Sequence, residues 1–174
     1  MNRPSEPTGD PVLEQLASLG VDHEVMACDP ALADTAAFCE AYGIALEDSA
    51  NAILVAGKAR PDERQPFALC LVLATYRLDV NGMVRQRLGS RKASFASAEE
   101  TAELTGMQIG GVTPFGLPTS VPIWVDGAIL ARERAVVGGG SRDRKILLPP
   151  GGLMRLPGSE AVEDLARPAP PPEG

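Results

Sequence analysis

The segment Gly110-Gly111-Val112-Thr113-Pro114-Phe115-Gly116 contains three glycines and one proline within seven residues. A regular helix or a central strand does not fit this composition, because glycine readily adopts positive φ and proline fixes one turn of the backbone. A second glycine run, Gly138-Gly139-Gly140-Ser141, follows in the same half of the chain. Rigid loops of this kind present backbone N–H groups to an anion or to a polarised carbonyl. The two glycine segments therefore predict either ordinary surface turns or two walls of one pocket.

Capping signals mark where several helices begin and end. Asp10 followed by Pro11 predicts the start of a first helix, and Gly20 predicts its end. The sequence Ser97-Ala98-Glu99-Glu100 is a capping box, which predicts a helix that ends at Gly106 and leads into the first glycine segment. Two further helices are predicted at residues 34–43 and 79–88.

Short apolar runs predict the strands. Residues 52–56 and 67–74 are predicted to form two antiparallel strands joined by a polar loop. Asp126-Gly127 lies between the apolar residues 121–125 and 128–131, which predicts a hairpin with a type I′ turn. Because hairpins and isolated helices alternate along the chain, we expect an α/β (α+β) fold in which helices surround a mixed, largely antiparallel sheet.

The composition is that of an acidic globular domain. The chain has 174 residues, of which 44% are hydrophobic and 22% charged, and its formal net charge is −7. This charge argues against extensive binding of a nucleic-acid duplex, which needs a basic face, but it allows contact with a few phosphates. Positive charge is concentrated in two stretches, which predict either solvated faces or a local site for an anion. The first contains Arg77, Arg85, Arg87, Arg91 and Lys92, and the second contains Arg132, Arg134, Arg142, Arg144 and Lys145.

Side chains of the usual catalytic kinds are scarce. His23 is the single histidine, and the three cysteines, Cys28, Cys39 and Cys70, have no CxxC spacing. We therefore expect neither a Ser-His-Asp or Cys-His site nor a metal or other cofactor. An odd number of cysteines, the lack of an apolar run long enough to span a membrane and a polar N-terminus predict a cytoplasmic protein.

The pattern Gly-Gly-x-x-Pro-x-Gly at residues 110–116 resembles the signature of the YbaK family, also called the prolyl-tRNA-synthetase-associated domain. Other segments resemble the family in the same order, namely Leu13 to Gly20, Asp29-Pro30, Arg77-Leu78-Asp79, Ala98 to Gly106, Val137 to Arg142 and Gly152-Leu153. The resemblance covers residues 11–157 and implies a YbaK-like fold, a mixed and partly closed sheet surrounded by helices. We expect one domain at residues 11–160, between a polar, flexible N-terminus at 1–10 and a proline-rich tail at 161–174.

YbaK-like domains hydrolyse the ester that joins a wrong amino acid to the terminal ribose of a tRNA. The resemblance therefore implies an aminoacyl-tRNA deacylase that edits in trans, with the tRNA acceptor end as one partner and an aminoacyl-tRNA synthetase as another. Backbone N–H groups would stabilise the oxyanion, and one such donor lowers the barrier by about 3 to 4 kcal/mol. On this interpretation the catalytic residues are Gly110, Gly111 and Gly116. The substrate-binding residues are Asn51, then Thr113 and Pro114 at the rim, and Gly139, Gly140 and Ser141 on the opposite wall.

Two positions depart from the family pattern. Asn51 stands where the family has a lysine, and Lys145 stands where the family usually has an acidic residue. Asparagine supplies only an amide dipole in place of a full charge. One hypothesis is that Lys145 replaces the missing charge. The alternatives are a module that binds an aminoacyl-tRNA end, a nucleotide or a protein without hydrolysis, and an unrelated small-molecule acyl hydrolase that uses the same loop.

Overall fold

Short helices and strands alternate through residues 9–118 and 120–170, which the computed structural model of this protein describes. The α-helices are α1 (Pro11–Ser18), α2 (Thr35–Tyr42), α3 (Arg85–Leu88), α4 (Ala98–Thr105) and α5 (Gly127–Leu130). The strands are β1 (Glu24–Ala27), β2 (Ala50–Gly57), β3 (Phe67–Leu73), β4 (Tyr76–Leu78), β5 (Ala93–Phe95), β6 (Ile123–Asp126), β7 (Ala135–Gly138), β8 (Arg144–Leu148), β9 (Ser159–Val162) and β10 (Ala166–Pro168). Most of the expected N-terminal segment and the last four residues of the expected tail lie outside the described residues.

Within the described residues the strands form three sheets, of which the largest contains both parallel and antiparallel pairs. A five-stranded sheet has the order β5-β2-β3-β6-β9, a three-stranded sheet has the order β1-β8-β7, and β10 pairs with β4. The pairs β3–β6 and β6–β9 are parallel, and the other named pairs are antiparallel. An isolated bridge between Ser49 and Val136 connects the two larger sheets. The predicted mixed α/β class is confirmed, and the sheets stay open without closing into a barrel.

The capping residues read from the sequence have the expected contacts. The Asp10 carboxylate accepts hydrogen bonds from the N–H groups of Val12 and Leu13, and Ser97 and Glu100 form a complete capping box. Gly106 ends α4 with a φ of 71°, a left-handed conformation that favours glycine. The predicted helix at 79–88 is divided, because a π-helical turn at Val80–Val84 precedes α3.

The predicted hairpin at Asp126-Gly127 is wrong. Asp126 has an extended φ of −61° and is followed directly by α5, so a type I′ turn with positive φ is absent here. β6 instead lies between β3 and β9, which are parallel to it and distant in sequence. The buried Asp126 carboxylate accepts a hydrogen bond from the N–H of Ala166, a partner that only the tertiary fold supplies. A long-range pairing has therefore overridden the local turn preference.

The C-terminal strands continue the fold past residue 160. This expected domain limit falls inside β9, which pairs with β6, and β10 then pairs with β4 through the register Pro168–Tyr76. Residues 166–168 therefore contribute to a sheet in the described structure.

The largest core cluster lies between α1 and the two larger sheets. Its fully buried members include Leu16 of α1, Leu69 and Leu71 of β3, and Ile146 of β8. Phe115, which belongs to the first glycine segment, is also fully buried in this cluster. Full burial of such a side chain contributes about 1.5 to 3 kcal/mol, so the core fixes the position of the glycine segment.

Candidate functional site

A cavity of about 260 Å³ opens between the N-terminus of α2, the first half of β2 and the start of the first glycine segment. We call it the Lys145 cavity. Much of its wall is apolar and includes Phe38, Ala52, Val112 and Val137. Its polar lining residues are Asp34, Thr35, Ser49, Asn51 and Lys145. The cavity thus combines a small apolar space with a few polar groups, which is typical of a small-molecule site.

Lys145 supplies a buried positive charge to this cavity. It lies on β8, the central strand of its sheet, opposite Met26 on one side and Gly138 on the other. The residue is 7% exposed, and its Nζ donates a hydrogen bond of 2.7 Å to the carbonyl oxygen of Gly110. Burial lowers the pKa of Lys145, because a low-dielectric environment disfavours the charged form. Within the described ranges, no acidic side chain forms an ion pair with this ammonium group.

Asn51 lines the same cavity from β2. Its Oδ1 accepts a hydrogen bond of 2.6 Å from the hydroxyl of Thr35, the first residue of α2. Asn51 and Lys145 come from different sheets, yet both contribute to one site. A shared site is what the charge-exchange hypothesis requires.

The N-terminus of α2 is a part of the site that the sequence did not indicate. Asp34 precedes α2 but makes no side-chain cap, and its carboxylate instead lies 3.5 Å from the Arg142 guanidinium. The first N–H groups of α2 are therefore left without that cap, beside a cavity that contains an ammonium group. Helix N-termini and cations both favour negative charge. The sequence could place the start of this helix but not the cavity that it faces.

The predicted catalytic glycines do not share one environment. Gly110 lines the Lys145 cavity. Gly116 lines a separate, wider groove of about 1320 Å³ beside α1, together with Gly140 and Ser141. Gly111 lies between them, where an added Cβ would come within 2.8 Å of the Ser141 backbone. The two glycine segments therefore contact each other through their backbones and separate the cavity from the groove.

Several N–H groups of the glycine segments are used inside the protein. The N–H of Gly111 donates to the Gln108 carbonyl at 2.9 Å, and that of Gly140 donates to the Gly111 carbonyl at 2.7 Å. The N–H of Gly116 donates to Oε1 of Gln15 at 2.7 Å. Among the residues that the structure describes, the N–H of Gly110 makes no such bond. Of the three glycines predicted to be catalytic, Gly110 is therefore the one that lines the Lys145 cavity and whose N–H makes no hydrogen bond within the described residues.

The remaining predicted binding residues are packed in the interior. Thr113 is fully buried, and its Oγ1 has no hydrogen-bond partner among the described residues. Pro114 is buried beside it, and Gly139 packs against Arg144. These three residues line neither the Lys145 cavity nor the groove beside α1. Their burial makes them part of the packed interior and not of a pocket wall.

The residues considered for nucleophilic or metal chemistry lie in structural positions. His23 contacts the Val21 carbonyl at 2.8 Å through Nδ1. All three cysteines are free and buried, and burial raises the pKa of Cys70 to about 12. Residues 9–118 and 120–170 contain no group of His, Cys, Asp and Glu side chains arranged to hold a metal ion. None of the helices in those ranges has the length and hydropathy needed to cross a membrane.

A family model described as the aminoacyl-tRNA editing domain matches residues 29–156. This match spans most of the chain and confirms the resemblance identified from the glycine segments.

Two curated relatives have related descriptions. The multifunctional Ser/Thr-tRNA deacylase ProXp-y of Escherichia coli strain K12 is 25% identical over 148 residues, which is 84% of this chain and 86% of that protein. A proline–tRNA ligase of Bacillus licheniformis is 39% identical over 74 residues, which is 42% of this chain but only 13% of the ligase.

Two solved structures share the fold. One is described as a candidate trans-editing enzyme for prolyl tRNA synthetase, with a TM-score of 0.77 and 23% identity over 95% of this chain and all of that chain. The other is the hypothetical protein APE2540, with a TM-score of 0.78 and 23% identity over 90% of this chain and 99% of that chain.

Proposed function

The chain belongs to the aminoacyl-tRNA editing domain family, and on that premise we propose that it hydrolyses the ester bond of mischarged aminoacyl-tRNA in the Lys145 cavity. The observation that carries the proposal is the buried ammonium group of Lys145, which lines one small cavity with Asn51 and Gly110. A volume of about 260 Å³ suits an aminoacyl group. The tRNA acceptor end is the substrate.

Lys145 is the proposed oxyanion-stabilising group. An ammonium group has three N–H donors, and the Gly110 carbonyl accepts one of them. The other two are available to the ester carbonyl oxygen as a water molecule attacks the carbonyl carbon. The N–H of Gly110 is a second donor in the same cavity. Negative charge that develops in a poorly solvated site is stabilised strongly by such preorganised donors.

The reaction needs no other co-reactant than water. Water adds to the carbonyl carbon and loses a proton, the bond from that carbon to the ribose oxygen breaks, and the ribose oxygen takes up the proton that the water has lost. The products are the free amino acid and a tRNA with its terminal hydroxyl restored. Because the ester is already activated, a water oriented by the neighbouring ribose hydroxyl suffices, and no titratable base of the protein is required.

Release of labelled amino acid from a panel of mischarged tRNAs tests this function. We expect wild-type protein to release the label from at least one of them, and Lys145→Met to lower kcat/KM by more than about a hundredfold. The exchange variant Asn51→Lys/Lys145→Met is expected to recover part of the activity. Arg167→Met, which removes an exposed charge from β10, is the matched control. If no tRNA is hydrolysed, the deacylase proposal is wrong. If Lys145→Met and the control behave alike, the role of Lys145 is wrong.

A second candidate is a binding module without hydrolysis. It is favoured by the internal hydrogen bonds of the Gly111 and Gly116 N–H groups, which remove two of the three predicted oxyanion donors. Tight binding of a mischarged tRNA without release of its amino acid supports this candidate.

The cellular setting of the proposal follows from the substrate. Mischarged tRNA is produced by aminoacyl-tRNA synthetases, so we propose a synthetase as a partner and the cytoplasm as the location. The partial match to a proline–tRNA ligase supports this association.

A further inference from the structure

Basic side chains from two separate segments converge at the far end of β2. One segment is the β2–β3 loop, and the other runs from α3 to β5. The N–H of Lys58 donates to the Lys92 carbonyl at 3.2 Å, and Nη2 of Arg60 donates to the Gly89 carbonyl at 3.0 Å. We call this surface the Arg91 patch, and its members are Lys58, Arg60, Arg64, Arg85, Arg91 and Lys92.

The patch is built on a fixed scaffold. Ser90 is buried at its centre, where its hydroxyl accepts a 2.7 Å hydrogen bond from the Lys58 N–H and donates one of 2.7 Å to the Lys92 carbonyl. Arg85 donates to the carbonyl of Asn81 at 2.8 Å. A groove of about 650 Å³ runs along the patch and is lined by four of its members, Lys58, Arg85, Arg91 and Lys92.

The positive charge of the patch is not neutralised within the described structure. None of the ion pairs among residues 9–118 and 120–170 includes a member of the patch. Residues 85–92 contain no acidic side chain, and Glu63 of the β2–β3 loop lines a small pocket with Lys58, Arg60 and Arg64 but forms no ion pair with them. A cluster of unpaired cations on a chain with a net charge of −7 points to a polyanionic partner.

β2 runs from the Lys145 cavity towards the Arg91 patch. Asn51 lines the cavity, and Lys58 lies seven residues further along the chain, just beyond the end of the same strand. At about 3.3 Å per residue, the separation is roughly 23 Å. An RNA whose aminoacylated end lies in the cavity would need to extend about 23 Å to bring its phosphates to the patch.

We infer that the Arg91 patch binds the phosphate backbone of the tRNA acceptor stem, which rests on the proposed function for the identity of the RNA. Double-stranded RNA is recognised largely through its shape, phosphates and 2′-hydroxyls. A groove lined by lysine and arginine side chains provides contacts of this kind. The patch contributes affinity for the RNA body, and the cavity contributes the chemistry.

Binding of uncharged tRNA at 50 to 200 mM salt tests the inference. The variant Arg91→Gln/Lys92→Gln changes two exposed side chains that make no hydrogen bond within the described structure. We expect it to weaken tRNA binding by about tenfold or more at 50 mM salt and to reduce the slope of log K against log salt by about 1.5. The control Arg77→Gln/Arg167→Gln removes the same charge from the exposed faces of β4 and β10.

Hydrolysis of two substrates separates this inference from the proposed function. With full-length mischarged tRNA, the patch variant should raise KM, and with an aminoacylated CCA trinucleotide it should match wild type. Equal tRNA affinity for the patch variant and wild type would overturn the inference, even if both hydrolyse the trinucleotide. The same weakening in the control variant would also overturn it. If neither substrate is hydrolysed but the patch variant alone loses tRNA binding, the inference stands and the deacylase proposal fails.

Anionic vesicles distinguish a membrane surface from RNA. Wild-type protein should not bind vesicles of phosphatidylserine and phosphatidylcholine at 150 mM salt. Patch-dependent vesicle binding with unchanged tRNA affinity would overturn the assignment to RNA.

Discussion

The arginines of the basic stretch at residues 132–145 and those of the Arg91 patch differ in their internal partners. In the stretch from 132 to 145, Arg132 and Arg134 pair with Asp48, and Arg144 pairs with Asp10. In the Arg91 patch, the cations contact backbone carbonyls at most, and all except the half-buried Arg85 are exposed. The first group joins parts of the protein to each other, whereas the second is available to an external anion. The charge of a sequence segment therefore indicates a binding surface only after its internal partners are known.

The sharpest test of this difference is the removal of the acid shared by two arginines. Asp48 is 8% exposed and accepts hydrogen bonds of 2.9 to 3.1 Å from Arg132 and Arg134. Asp48→Ala should lower the free energy of unfolding by about 2 kcal/mol, because these bonds to charged groups are lost. Urea unfolding measures the change. A change below about 0.5 kcal/mol in the free energy of unfolding would show that the pairing of Arg132 and Arg134 contributes as little to stability as the unpaired cations of the patch.

Arg144 should give the next largest effect. Its guanidinium donates to the Gly139 carbonyl at 2.7 Å and to the Asp10 carboxylate at 3.0 Å, so it connects the second glycine segment to the cap of α1. Arg144→Met retains much of the aliphatic stem and should cost about 1 to 2 kcal/mol. Comparison of the double variant Arg144→Met/Asp10→Asn with the two single variants then gives the interaction energy between Arg144 and Asp10. Additive changes in unfolding free energy would exclude coupling between them.

Acid pH should lower the stability of the fold by protonating Asp10 and Asp48, the partners of the internally paired arginines. Hydrogen bonding to Arg144 lowers the pKa of Asp10. Burial alone would raise the pKa of Asp48, but hydrogen bonds from Arg132 and Arg134 outweigh it, so this pKa is also lowered. Both carboxylates therefore stabilise the fold above their unfolded pKa of about 3.9, and this contribution is lost as the pH falls through the lower folded values.

Thermal unfolding between pH 2 and 6 measures this loss. Asp48→Asn should show a shallower decline below pH 4 than wild type, since the titrating group is absent. Parallel curves for the two proteins would contradict the assigned role of Asp48.

The patch should show the smallest effect on stability. Arg91→Gln/Lys92→Gln is expected to unfold within about 0.5 kcal/mol of wild type, because both side chains are exposed and lack internal partners. Urea unfolding gives the free energies of unfolding of this variant and of Asp48→Ala, which are then compared. A loss as large as that of Asp48→Ala would place the patch among the structural cations.

The glycine segments show which parts of a site a sequence pattern reveals. The composition of residues 110–116 correctly predicted backbone outside regular helix and strand, and the family that the pattern implied is confirmed. The pattern did not reveal that Gly110 and Gly116 lie on opposite sides of the packed loops. Which side a residue faces depends on the core contacts of Phe115 and on backbone packing between Gly111 and Ser141. These contacts join residues far apart in the chain.

The sequence by itself determined the features that depend on neighbouring residues. The cap at Asp10, the capping box at Ser97 and the helix end at Gly106 follow from hydrogen bonds and backbone preferences within a few positions. Tertiary structure alone decided that β6 pairs in parallel with β3 in place of forming a hairpin. It also decided that Lys145 and Asn51 line one cavity, and which cations have an acidic partner. Local signals act over one turn of backbone, whereas these features depend on sheet register and on which distant segments share the core.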